Sequence, residues 1–206
     1  GLVEALVAGR PFGSVFLVLT LFSEAALLVV AAQAGFLDGP RVLANMAVTV
    51  DIASGGRLEL GLGAGWFEPE CEAYGIELGS IRERLDRFEE ALGVIRSLLT
   101  QPTTDFEGHY YRLRDARCEP KSLQQPHPPI WFGGAHPAAL RRAVAAADGF
   151  FGAGSQTTAA FVEQVATIRE ELAAVGRDSA TFSIAKRVYV TVDDDAERAH
   201  ARMADA

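Results

Sequence analysis

Lysine and cysteine are both scarce in this chain. Lysine occurs only at Lys121 and Lys186 among 19 basic side chains, so arginine carries nearly all the positive charge. Against 27 acidic residues the balance is 19 − 27 = −8. That argues against a nucleic-acid partner, because phosphate backbones are bound by clustered cations. The two cysteines, Cys71 and Cys118, form no C-x-x-C pair and no zinc spacing. A disulfide scaffold and a Cys-rich metal site are thereby excluded, and a reducing, cytoplasmic setting is expected. The four histidines, His109, His127, His136 and His200, stand at ligand spacing from no second histidine or carboxylate, so no metal is expected. Ser23 and Ser155 lack the G-x-S-x-G context of a serine hydrolase. What remains is ordinary for a folded chain: 206 residues, 49% hydrophobic and 22% charged. The length suits one domain with a real core, and no linker, low-complexity stretch or repeat divides it.

Charge is also scarce locally. Between residues 15 and 37 the only ionisable side chain is Glu24. The stretch is long enough for a membrane span of about 20 residues. Ala32-Gln33-Ala34 before Gly35 also resembles a signal-peptidase site. Glu24 stands against insertion, at a cost of about 2.5–3.5 kcal/mol mid-span. Leu27-Leu28-Val29-Val30 reads instead as a buried parallel strand. Buried core is the expectation and no membrane partner is expected, with export or insertion as the alternative. Gly1 rather than Met opens the chain, which suggests a piece cut from something longer.

After Gly35 the pattern becomes regular. Asp38-Gly39-Pro40 makes a turn, and proline suits a first helical position. Val42, Leu43, Met46, Ala47 and Val50 recur at helical spacing until Gly55-Gly56 ends the helix. Residues 58–63 read as a short strand entering a glycine-rich loop. Residues 82–99 read as an amphipathic helix whose charge run is a solvated face with i,i+4 pairs. Residues 106–111 suggest a hairpin or an extended insert. Pro126, Pro128 and Pro129 lead into the strand Ile130-Trp131-Phe132, then Gly133-Gly134 and a helix over 137–147. A strand from Asp148, a helix over 157–175, a strand over 182–192 and a helix capped by Asp193 to Asp195 complete the pass. Five strand–helix units therefore start near Leu27, Leu58, Ile130, Gly149 and Ile184. Such alternation means an α/β fold with a parallel sheet. A closed barrel takes eight units and about 250 residues, so five fit either an open doubly wound sheet or a barrel lacking staves.

Two glycine clusters follow strands. Gly61-Leu62-Gly63-Ala64-Gly65 lets a loop pass close to a bound group and offer backbone N–H donors. It fails the dinucleotide fingerprint because Trp66 stands where the last glycine belongs, and no Gly-Lys-Ser/Thr follows. Gly133-Gly134 precedes a helix amino terminus, a ready site for an anion held by backbone. Each is equally a plain strand–loop junction. Trp66, Phe67, Trp131, Phe132, Phe150 and Phe151 gather at strand ends, either as core or as stacking surface for a flat ring.

With these residues assembled, a resemblance is evident. Ala44-Asn45-Met46-Ala47 and Val50-Asp51-Ile52-Ala53-Ser54-Gly55-Gly56-Arg57-Leu58-Glu59-Leu60-Gly61-Leu62-Gly63-Ala64-Gly65-Trp66 resemble the luciferase-like monooxygenase family. The branch most resembled uses the deazaflavin coenzyme F420. Ala73-Tyr74-Gly75, Arg84-Leu85-Asp86-Arg87-Phe88-Glu89-Glu90-Ala91-Leu92, Phe106-Glu107-Gly108, Pro128-Pro129-Ile130-Trp131-Phe132-Gly133-Gly134 and Ala147-Asp148-Gly149-Phe150 agree in order. The match spans about residues 27–192, while residues 1–22 align with nothing.

The resemblance implies a (β/α)8 TIM barrel, here incomplete at both ends, with its cofactor across the carboxyl ends of the strands. Ala64, Gly65 and Trp66 would lie at the ring or ribityl part. Phe132, Gly133, Gly134 and Ala135 would hold the phosphate by backbone N–H, and Gly154 and Ser155 would line the same pocket. The implied reaction is hydride transfer between F420 and a small organic substrate, the cofactor carrying the redox chemistry. FMN-dependent monooxygenation is the alternative, and a self-associating or non-catalytic relic a further one. The strand edges that missing staves would leave open admit a homodimer. Some sugar-phosphate dehydrogenases of the family use a glutamate where Trp66 stands, so that activity is not implied. Cys71 stands where relatives commonly show histidine, and no proton donor is assigned.

Overall fold

The structure is a computed structural model describing residues 39–153 and 156–204. The expected strand at Leu27, the apolar stretch over 15–37 and the unaligned residues 1–22 lie outside them. Among the described residues no helix is long and apolar enough to cross a membrane. In chain order the elements are α1 (Gly39–Ser54), β1 (Leu60–Leu62), α2 (Glu68–Ala73), α3 (Ile81–Thr100), β2 (Thr104–Glu107) and β3 (Arg112–Ala116). There follow β4 (Ile130–Gly133), α4 (Pro137–Ala146), β5 (Gly149–Gly152), α5 (Thr158–Ala174), a 3-10 turn (Ser179–Thr181), β6 (Ser183–Lys186) and α6 (Ala196–Ala204).

Local chemistry sets the helix limits. α1 stops at Gly55 and Gly56, whose φ of +71° and +78° lie in the region glycine enters without strain. α3 opens on a reciprocal cap, with Glu83 N–H on Ser80 Oγ at 3.2 Å and Ser80 N–H on the Glu83 carboxylate at 2.8 Å. At its far end Lys121 Nζ donates to the carbonyls of Leu98 and Gln101, at 2.8 and 2.6 Å, where the helix dipole favours a cation. One of the two lysines is thus a helix clamp.

Among the described residues four strands form one parallel sheet in the order β1-β4-β5-β6, and β2 pairs antiparallel with β3 in a separate hairpin. Leu62, Phe132, Phe150 and Ile184 stand in one cross-strand row. On that face Leu60, Leu62, Ile130, Phe132 and Phe150 are buried. Phe88 of α3 meets Phe132 edge-on, 5.0 Å between centroids, and α4 packs on β4 and β5. The opposite face is more open, with Trp131 half-buried and Gly133 and Phe151 exposed.

Several expectations need correction. The strand expected over 58–63 pairs only across Leu60–Leu62. The one expected over 182–192 pairs only across Ser183–Lys186, because its neighbour β5 ends at Gly152, opposite Lys186. Val188, Tyr189, Val190 and Val192 beyond it are exposed. α2 was not expected, although Pro69 in its first turn, flanked by Glu68 and Glu70, is a start signal.

The charge run of α3 is more than a solvated face. Arg82 and Asp86 make the expected i,i+4 pair at 3.8 Å, but other members reach distant backbone or partners. Glu89 pairs with Arg142 at 3.6 Å and the Arg87 guanidinium lies over the Tyr110 ring. The Glu90 carboxylate accepts the N–H groups of His109, Tyr110 and Tyr111 at 2.8, 2.8 and 3.2 Å, fastening the hairpin turn to α3. Gly108 makes room for it, since a Cβ there would overlap that carboxylate.

Desolvation pushes the Glu90 pKa up, but the three backbone bonds outweigh it, so the net shift is downward. A lowered carboxylate stabilises the fold above its ordinary pKa and loses that contribution as pH falls through the lowered one. Glu90→Gln is therefore expected to cost about 1 kcal/mol at neutral pH. Urea unfolding from pH 7 to pH 3 should show the difference from wild type shrinking below about pH 4. An unchanged difference at pH 3 would refute this role.

Candidate functional site

β1 and β4 are parallel neighbours, with Leu60 opposite Ile130 and Leu62 opposite Phe132. Parallel strands about 4.8 Å apart send their following loops out from one edge. Residues 63–66 and 134–136 therefore leave the sheet side by side. β5 and β6 end at this edge too, with Gly152 opposite Lys186. Gly154 and Ser155, just beyond β5, lie outside the described residues.

In the first loop Ala64 and Gly65 are half-buried, while Trp66 is 81% exposed with its ring tilted against Phe67. Gly65 has φ +78°, and its carbonyl accepts Arg84 Nη1 at 3.0 Å. The loop is thus anchored to α3. Arg84 Nε is buried with no partner among the described residues.

In the second loop Gly133, Gly134 and Ala135 are exposed, while Phe132 is core. Gly134 has φ +139°, and a Cβ there would stand 2.7 Å from the Cβ of Ala139. Only glycine combines that backbone with that approach. The carbonyls of Gly134 and Ala135 accept Gln164 Nε2 of α5 at 3.3 and 3.5 Å.

The amino terminus of α4 is not the open donor set expected. Pro137 has no N–H, Ala138 N–H donates to His136 Nδ1 at 3.2 Å, and Ala139 N–H donates to His136 O at 2.8 Å. The helix caps itself, so donors for an anion would come from the loop ahead of it.

The aromatic cluster divides. Phe132 and Phe150 are core, Trp131 is half-buried with its indole N–H on the Glu59 carboxylate, and Trp66, Phe67 and Phe151 are exposed. Two cations on this edge are occupied by backbone: Lys186 Nζ donates to Gln156 O at 2.9 Å, as Arg84 does to Gly65. Among the described residues no three His, Cys, Asp or Glu side chains gather as a metal site.

Sequence reasoning missed Arg84, Gln164 and the His136 cap. Gln164 left a trace, a polar residue in the i,i+4 stripe Gln164, Ile168, Leu172 that α5 buries.

Comparison with known proteins accords with this architecture. The family model described as luciferase-like monooxygenase matches residues 26–206. An FMNH(2)-dependent dimethylsulfone monooxygenase from Pseudomonas putida is 33% identical over 179 residues, 87% of this chain and 48% of its own length. The chain thus spans about half the length of the curated relatives it matches. The crystal structure of monooxygenase RslO1 from Streptomyces bottropensis superposes with a TM-score of 0.70 at 25% identity, over 81% of this chain and 50% of that one. An F420-dependent secondary alcohol dehydrogenase, in complex with an F420-acetone adduct, gives a TM-score of 0.68 at 23% identity, over 80% and 49%. With the family model covering the parallel sheet and both glycine loops, the chain belongs to the luciferase-like monooxygenases, enzymes of TIM-barrel fold.

Proposed function

We propose that this chain forms the cofactor-holding part of a flavin-type oxidoreductase acting on a small organic molecule, with reduced FMN as its cofactor. The observation carrying the reading is the pair of glycine loops leaving one edge of adjacent parallel strands. The choice of FMN follows the FMNH(2)-dependent relative at 33% identity. Deazaflavin F420 is the second reading, favoured by the motif string from Ala44 to Trp66.

The residues present fit such a group. Gly65 and Gly134 both adopt positive φ, so backbone without a side chain faces any occupant of this edge. In this reading the loop at Gly133, Gly134 and Ala135 holds the phosphate by backbone N–H. Ala64 and Gly65 line the ring or ribityl chain, and the exposed Trp66 covers a ring face. Phe132 supports the loop from the core. When bound, reduced FMN supplies the two electrons for oxygen activation, whereas F420 supplies a hydride. The chain's own residues orient the ring and exclude water from it.

Anaerobic fluorescence titration tests this. Reduced FMN is expected to bind with a Kd near micromolar, about −8 kcal/mol, and F420 at least about tenfold more weakly. The opposite order would establish the second reading. If neither binds below about 1 mM, both fall.

A further inference from the structure

We infer that Gln164 is a positioning residue for the phosphate-ester tail of the cofactor, through its hold on the carbonyls of Gly134 and Ala135. This rests on the proposed placement of the phosphate at that loop, but the role of Gln164 is a separate claim. Its Nε2 lies 3.3 and 3.5 Å from two successive carbonyl oxygens. In a planar trans peptide the C=O of one residue and the N–H of the next point in opposite directions. Drawing the Gly134 carbonyl towards α5 turns the Ala135 N–H away from it, and drawing the Ala135 carbonyl turns the His136 N–H away likewise. Two consecutive donors are thereby aimed to the side opposite Gln164. Successive N–H groups presented from one concave turn form an anion nest.

Two further observations mark this contact as more than filling. Gln164 is 6% exposed, and its Oε1 is buried with no partner among the described residues. An apolar side chain would fill the Ile168–Leu172 stripe of α5 without burying an unpaired acceptor. The amide cannot simply turn over either, since that would set Oε1 against two carbonyl oxygens. Gln164 also supplies what the His136 cap removes. With the first N–H groups of α4 internally bonded, the donors left are those of the loop, and their direction is set from α5.

The test compares phosphorylated and unphosphorylated ligands on the full chain. FMN is titrated against riboflavin, and F420 against its deazaflavin riboside, on wild type and Gln164→Met. Wild type should prefer the phosphorylated member of the pair it binds. Gln164→Met should lose about tenfold of that preference, the worth of a hydrogen bond or so, with riboflavin or riboside affinity unchanged. Preference retained in the variant overturns the inference and leaves the phosphate placement standing. No preference in wild type overturns the phosphate placement and, with it, this inference. Hydrogen exchange on wild type is independent of how the variant folds. FMN or F420 should slow the amides of Ala135 and His136, and the phosphate-free partner should not. Equal slowing by both would refute the role.

Discussion

Gly134→Ala is expected to weaken FMN binding about a hundredfold, and Gly133→Ala to weaken it far less. The difference lies in two backbone positions one residue apart. At Gly134, φ is +139°, and an added Cβ would stand 2.7 Å from the Cβ of Ala139 in the first turn of α4. An L residue held there carries about 1–3 kcal/mol of strain. Ala139 is fixed in a helical turn and cannot yield as the tip of a flexible side chain would. The loop must shift, and the donors aimed by the Gln164 contacts shift with it. Weakening, without abolishing, two bonds to a charged phosphate that are worth a net of about 1.5–3 kcal/mol each costs about 2.7 kcal/mol, a hundredfold. At Gly133 φ lies outside the left-handed region, and a Cβ would stand 3.2 Å from the Phe151 carbonyl oxygen, a tight contact that β5 relieves by yielding a few tenths of an ångström. Calorimetric titration of FMN with urea unfolding of both variants checks this. Affinity within threefold of wild type for Gly134→Ala would remove the loop from the binding reading.

How much of this was legible beforehand depended on distance along the chain. Helix ends were legible because their determinants are local: Gly55-Gly56 after α1, and Thr157 capping α5 through Ala160 N–H at 3.2 Å. Strand ends were less so, because a strand extends only as far as its neighbour. Val188, Val190 and Val192 alternate as a strand would, yet β5 has already ended. The glycine loops could be found as loops, but which glycine was indispensable could not, since that turns on Ala139 and α4. The clamps were out of reach. Arg84 finds its carbonyl 19 positions away and Gln164 finds its two at 30 and 29. A charge run whose members reach across the fold reads in sequence just like one that meets only water.

Asp51→Ala should produce the largest loss of stability, about 3 kcal/mol by urea unfolding, although the position touches no ligand in the proposed reading. Asp51 is fully buried near the end of α1. Its two carboxylate oxygens accept the Gln124 backbone N–H at 3.0 Å and the Gln124 Nε2 at 2.8 Å, and the same Nε2 donates to Leu58 O at 2.7 Å. One amide thus ties the approach to β1 to the approach to β4, just before Leu60 N–H meets Pro129 O at 2.8 Å. Alanine removes both acceptors and leaves the Gln124 backbone N–H and one Nε2 hydrogen without their partner, the costly side of hydrogen-bond energetics. Against a total of about 5–15 kcal/mol for a domain, that is a large share. Asp51→Asn keeps one acceptor and turns a donor towards a donor, so it should fall between alanine and wild type. Gln124→Ala should cost little more once Asp51 is gone, giving a coupling of about 1–2 kcal/mol in a double-mutant cycle. Additive losses would mean the two residues act separately. Coupled losses accompanied by weaker FMN binding would show that the β1–β4 register, set from this buried carboxylate, is what holds the two glycine loops side by side.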